Sequence, residues 1–146
     1  METKELFTYW NEIVDYFEIP KNLSQIIFEH ILQCHLAEGR HYHTITHVGS
    51  LLSLIDHHEL KPNQRITLLI AAFFHDIIYN TDSSENEIES AELMERYFDL
   101  LEIESSEILK ASEIIKATQF HKSDDNLTQL FLDMDLSILG TSEAKY

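Results

Sequence analysis

The chain has few of the residues that interrupt helices or form tight turns. Among 146 residues there are three glycines and two prolines. Because turns between short strands depend on glycine and proline, this scarcity argues against a turn-rich β architecture. Apolar residues make up 44% of the chain, which is enough for a core and disfavours disorder. We therefore expect an all-α protein with short connections.

Basic residues are also scarce. Ten Lys and Arg stand against 26 Asp and Glu, which gives a formal net charge of −16. Nucleic-acid affinity comes mainly from basic side chains that neutralise phosphates, and the ten basic residues do not gather in the sequence. The composition therefore argues against a nucleic-acid polymer as partner.

Cysteines and long apolar runs are lacking as well. Cys34 is the only cysteine, so no internal disulfide can form and a reducing compartment is expected. The longest apolar stretch, residues 66–74, is far shorter than the roughly 20 residues that span a membrane. The N-terminal residues do not resemble a secretory signal. These absences predict a cytoplasmic protein without a membrane segment.

Apolar residues recur at helical spacing along the chain and predict about seven helices in one domain over residues 1–146. Asn22 is the expected N-cap of the second helix, whose apolar stripe consists of Leu23, Ile26, Ile27, Ile31 and Cys34. The first helix is expected to end before Pro20, the second near Gly39, and the third to cover residues 48–55. The fourth is expected to run from Pro62 to Tyr79, and the fifth to follow a capping box of Ser84 and Glu87. Ser105 or Ser106 is expected to cap the sixth, and the seventh to end near Gly140.

The fourth and most apolar helix contains a histidine next to an aspartate, His75 and Asp76. Burying an imidazole and a carboxylate is costly unless each is paired or bound to a metal. His43 and His47 precede this pair and lie four residues apart, so they can share one side of a helix start. The combination predicts a metal site.

Two aspartates near the end of the chain, Asp133 and Asp135, are candidates for a further ligand. With His47, His75 and Asp76, the later aspartate would complete a His, His, Asp, Asp set. Such a set leaves positions for water and substrate on Mn²⁺, Fe²⁺ or Mg²⁺, and zinc is a further option. Open positions are typical of a catalytic rather than a structural ion.

Three strings of the sequence carry a resemblance to a known family. Residues 42–48 (YHTITHV), 71–76 (AAFFHD) and 133–136 (DMDL) resemble the H…HD…D signature of the HD-domain metal-dependent phosphohydrolases. Residues 86–91 also resemble a bacterial branch of predicted HD hydrolases. The resemblance implies an HD-type helical core with one or two divalent ions. The implied ligands are His47, His75, Asp76 and Asp135, with Asp133 as the fallback for the last.

The same resemblance implies a chemistry. Residues 42–47 resemble the opening of the cyclic nucleotide phosphodiesterase motif, which implies His43 as the general acid for the leaving group. Asp76 is implied as both a ligand and a catalytic residue. The expected reaction is hydrolysis of a small phosphate ester or nucleotide by a metal-activated water.

Alternatives remain open at the level of the sequence. A helical module could bind a metal or nucleotide without turning it over. His121 falls where some two-metal HD proteins place an extra histidine, so a di-iron oxygenase is a less favoured third option. The chain also ends sooner than members of the branch it resembles, so we expect a short member or a missing C-terminal portion.

Overall fold

A computed structural model describes residues 1–37 and 44–144, with side chains as far as residue 140. These residues contain seven α-helices and no strand, which confirms the all-α class. No helix in the described ranges is long and apolar enough to cross a membrane. The helices are α1 (Thr3–Phe17), α2 (Lys21–His35), α3 (Ile45–Ile55), α4 (Pro62–Phe74), α5 (Asn86–Leu100), α6 (Ser106–Ala117) and α7 (Asn126–Ala144).

Helix α4 lies at the centre of the fold. Every residue from 66 to 74 is buried, and α4 packs against α1, α3, α5 and α6. A helix that is apolar on all sides is stable only when neighbours surround it, which explains this position. The rings of Trp10 and Phe73 meet edge to face with centroids 5.6 Å apart. The buried apolar side chains of α1 to α7 form one connected cluster.

Helix α4 ends earlier than the sequence predicts. It stops at Phe74 rather than Tyr79, and His75 is its C-cap. The hydroxyl of Ser90, on α5, accepts a hydrogen bond from the backbone N–H of Ile78 at 3.0 Å. A side chain of another helix therefore replaces the helical hydrogen bond that Ile78 would otherwise make. The early end places the His-Asp pair at the tip of the buried helix.

The predicted start of α2 is wrong, and its predicted inner face is right for Ile27 and Ile31 but wrong for Leu23 and Ile26. Pro20 is the N-cap, and Asn22 lies inside the first turn. Leu23 and Ile26 are 41% and 62% exposed. The buried stripe is shifted around the helix and consists of Ser24, Ile27, Phe28, Ile31 and His35.

Two other predicted helix ends are wrong and one cap is confirmed. No side-chain cap hydrogen bond is present at the start of α5, so the expected Ser84–Glu87 capping box is not formed. Helix α7 continues past Gly140, around which a side chain would meet open space. Ser105 caps α6 as predicted, because its side chain accepts from the backbone N–H of Ile108.

Truncating Phe73, an aromatic side chain of the central helix, should destabilise the protein. We expect Phe73→Ala to lower the free energy of unfolding by about 3–5 kcal/mol, because it leaves a cavity beside Trp10. Phe120→Ala is the control, since Phe120 is 72% exposed and its loss should cost less than about 0.5 kcal/mol. Urea denaturation followed by circular dichroism measures both. Similar losses in the two variants would contradict the central position of α4.

Candidate metal centre

Four of the predicted site residues meet at the tip of α4. His47 lies in the first turn of α3, His75 and Asp76 follow the last residue of α4, and Asp135 is in the middle of α7. Contacts of α3 with both α4 and α7 bring these distant parts of the sequence together. His47, His75 and Asp135 are 4% exposed or less, whereas the side chain of Asp76 is 15% exposed.

The ligand atoms of these residues converge on a small volume. Nε2 of His47 is 2.7 Å from Oδ1 of Asp135, and Nε2 of His75 is 3.5 Å from the same oxygen. Oδ2 of Asp76 lies 2.9 Å from Nε2 of His75 and 4.0 Å from Nε2 of His47. Adjacent ligands of an octahedral ion, each about 2.1 Å from it, are about 3 Å apart. The separations observed bracket that value, so the triad of His47, His75 and Asp135 could hold a metal ion.

The hydrogen bonding of His75 suits a metal ligand. Its Nδ1 donates to the backbone carbonyl of Ala72 at 3.1 Å. Its buried Nε2 lies 2.9 Å from Oδ2 of Asp76 and 3.5 Å from Oδ1 of Asp135. When Nδ1 carries the proton of a neutral imidazole, Nε2 has its lone pair available. A backbone carbonyl that fixes the tautomer in this way is a usual partner of a ligating histidine.

The charges of the buried groups show what the site requires. Burial alone lowers the pKa of His75, but the carboxylates of Asp76 and Asp135 outweigh it and raise this pKa well above that of an ordinary histidine. Burial alone raises the pKa of Asp135, but hydrogen bonds from His121, His47 and His75 hold it well below its usual range. The site therefore needs a positive charge, which a proton on His75 or a metal ion can supply.

The structure separates the two candidate aspartates of α7. Asp135 faces the histidines, whereas the side chain of Asp133 is exposed and lines a surface cleft of about 430 Å³. Two residues correspond to about 200° around a helix, so the two carboxylates cannot face the same site. His43 lies outside the described residues, and its role as general acid stays a prediction.

His121 also reaches the site. It follows α6, and its Nε2 lies 3.1 Å from Oδ2 of Asp135. In the sequence, only the comparison with two-metal HD proteins pointed to this residue. Its backbone φ of 52° belongs to the left-handed region, which helical periodicity does not reveal.

Sequence reasoning did not assign a role to the polar residues that support the site from outside. Ser90 binds the segment after Asp76, and the side chain of Asn86 accepts from the backbone N–H of Asn80 at 3.0 Å. Asn86 and Ser90 are four residues apart on α5 and so share one side of that helix. This spacing is the sequence signal that could have indicated their shared role.

Comparisons of the chain with models of protein families, with curated proteins and with solved structures found no match. Together, the fold and the site define an all-α protein with a buried His-His-Asp triad that could hold a metal ion.

Metal binding should release a proton. Because the carboxylates raise the pKa of His75, its Nε2 stays protonated to a higher pH than in an ordinary histidine, and a metal ion must displace this proton. We expect the affinity for Mn²⁺ or Zn²⁺ to increase as the pH rises through this pKa. Titration calorimetry in buffers of different ionisation enthalpy measures the release. Asp135→Asn should show neither heat nor proton release, and a binding enthalpy of the unaltered protein that is independent of buffer would contradict the interpretation.

Proposed function

We propose that the protein is a metal-dependent phosphohydrolase of the HD type that cleaves a small phosphate ester with water. The observation that carries the proposal is the buried triad of His47, His75 and Asp135, with Asp76 beside it. These four residues follow the order of the H…HD…D signature. They lie together even though 88 positions separate His47 from Asp135.

The ligand set supports hydrolysis. A divalent ion held by the triad and Asp76 would supply an activated water and neutralise charge on the phosphoryl oxygens. Asp76 is the most exposed of the four, with 15% of its side chain accessible, so it lies closest to arriving water and substrate. Its carboxylate can accept a hydrogen bond from the attacking water and orient it. The proton for the leaving group is assigned to His43 on the resemblance of residues 42–47.

The charge of the chain supports a small substrate. Only ten Lys and Arg balance 26 Asp and Glu, so a long polyanion would be repelled. A small ester, such as a phosphorylated metabolite or a nucleotide, needs charge neutralisation at one phosphate alone. The triad is suited to that, because its ligand atoms converge on one point.

A helical module that binds a metal without turnover is the second candidate. The observation in its favour is the burial of the triad, since side chains with 4% exposure or less give a substrate little room to approach. A structural ion would need the same ligands. Turnover distinguishes the two candidates.

The test of the proposal compares two aspartates of one helix. We expect Asp135→Asn to lower hydrolysis of p-nitrophenyl phosphate, of its bis ester and of nucleotides by more than about 100-fold. Loss of a residue that only hydrogen-bonds a metal ligand already lowers activity about 10–100-fold, and this substitution removes a ligand itself. The assays should include Mn²⁺, Mg²⁺, Fe²⁺ and Zn²⁺. Asp133→Asn is the matched control, because Asp133 is exposed and the same atoms are exchanged.

The control variant should keep its activity within about twofold of the unaltered protein. Equal activity of Asp133→Asn and Asp135→Asn would contradict the proposed active site. If the unaltered protein binds metal but turns over no substrate of the panel with any of the four ions, the non-enzymatic module replaces the hydrolase.

A further inference from the structure

The two oxygens of Asp135 have different partners. Nε2 of His47 donates to Oδ1 at 2.7 Å, and Nε2 of His121 donates to Oδ2 at 3.1 Å. Nε2 of His75 approaches Oδ1 as well. Oδ1 therefore faces the two histidines of the triad, while Oδ2 faces a third histidine that belongs to another part of the chain.

The turn after α6 fixes the position of His121. Its backbone is left-handed, with a φ of 52°, and its N–H donates to the carbonyl of Ala117 at 2.9 Å. Two residues earlier, the side chain of Gln119 donates to the carbonyl of Ser84 at 2.9 Å. These contacts hold the turn at α6 and at the segment that precedes α5. The imidazole thus reaches Asp135 from a backbone conformation that residues other than glycine rarely adopt.

We propose that His121 is a positioning residue, which hydrogen-bonds Oδ2 of Asp135 and so leaves Oδ1 as the one carboxylate oxygen offered to a single metal ion. The inference deepens the proposed function, because it defines how many ions that site uses. It rests on the metal site and not on hydrolysis itself.

The geometry favours this role over that of a ligand to a second ion. The ligand atoms of His47, His75 and Asp135 all lie within 4.8 Å of one another, and among the described residues His121 belongs to no such group. The side chain of Asp135 is only 4% exposed, so Oδ2 cannot rely on bulk water if His121 turns away. Partners of this kind orient ligating carboxylates and tune metal affinity. The ring of His121 is 28% exposed and lies between the buried ligands and solvent.

The experiment measures Mn²⁺ affinity by titration calorimetry and the number of ions per chain by elemental analysis. The unaltered protein should bind one ion at the triad. His121→Ala should weaken binding about 10–100-fold, with the number of ions unchanged. Lys122→Ala is the matched control, because Lys122 is exposed and directly follows His121, and the affinity of this variant should stay within about twofold.

Two further variants separate the hydrogen bond from the structure of the turn. His121→Gln keeps an N–H donor on a long side chain and should restore most of the affinity. His121→Asn suits left-handed backbone but has a shorter reach, so it should bind as weakly as His121→Ala. Circular dichroism of the metal-free variants checks their folding, and the comparison of Gln with Asn remains decisive if His121→Ala does not fold.

Several results would overturn the inference. Two ions in the unaltered protein and one in His121→Ala would make His121 a ligand. Equal metal affinities for His121→Ala and Lys122→Ala, or for the Gln and Asn variants, would show that the hydrogen bond from His121 does not affect metal binding. Because the readout is metal binding, absence of turnover would reject the phosphohydrolase and leave this inference standing, while failure of the His121 series with turnover intact would do the reverse.

Discussion

The rest of the site depends on one buried carboxylate. Asp135 is 3% exposed, and an ionised group at that depth is stable only when hydrogen-bond donors or a cation replace its water. His47 supplies one donor from α3, and His121 supplies another from the turn after α6. His75, at the end of α4, adds a third imidazole 3.5 Å away. Satisfying this group therefore constrains the placement of four parts of the chain.

The apolar character of α4 makes that constraint possible. Because other helices surround α4, its C-terminal end lies in the interior of the protein, and His75 is 2% exposed there. Low polarity strengthens every electrostatic interaction there, and it also makes unpaired charge costly. The close approach of His47, His75 and Asp135 thus follows from the same burial that stabilises the fold. Beyond the end of α4, the hydroxyl of Ser90 accepts a hydrogen bond from the backbone N–H of Ile78.

The sequence predicts much of this and misses specific parts for physical reasons. Helical periodicity was sufficient for the all-α class and for a buried α4. It could not locate the end of α4, because the competing hydrogen bond comes from Ser90, twelve residues beyond Ile78. It left Asp133 and Asp135 open, since only the packing of α7 decides which carboxylate faces inward. The orientation of His121 depends on a left-handed backbone that no local pattern indicated.

The most direct test of the account is an anomalous difference map from crystals soaked in Mn²⁺. The account predicts one peak at roughly 2.0 to 2.3 Å from Nε2 of His47, Nε2 of His75 and Oδ1 of Asp135. His121 should stay on Oδ2, outside bonding distance of the ion. Peaks confined to exposed acidic side chains, with none at the triad, would contradict the account.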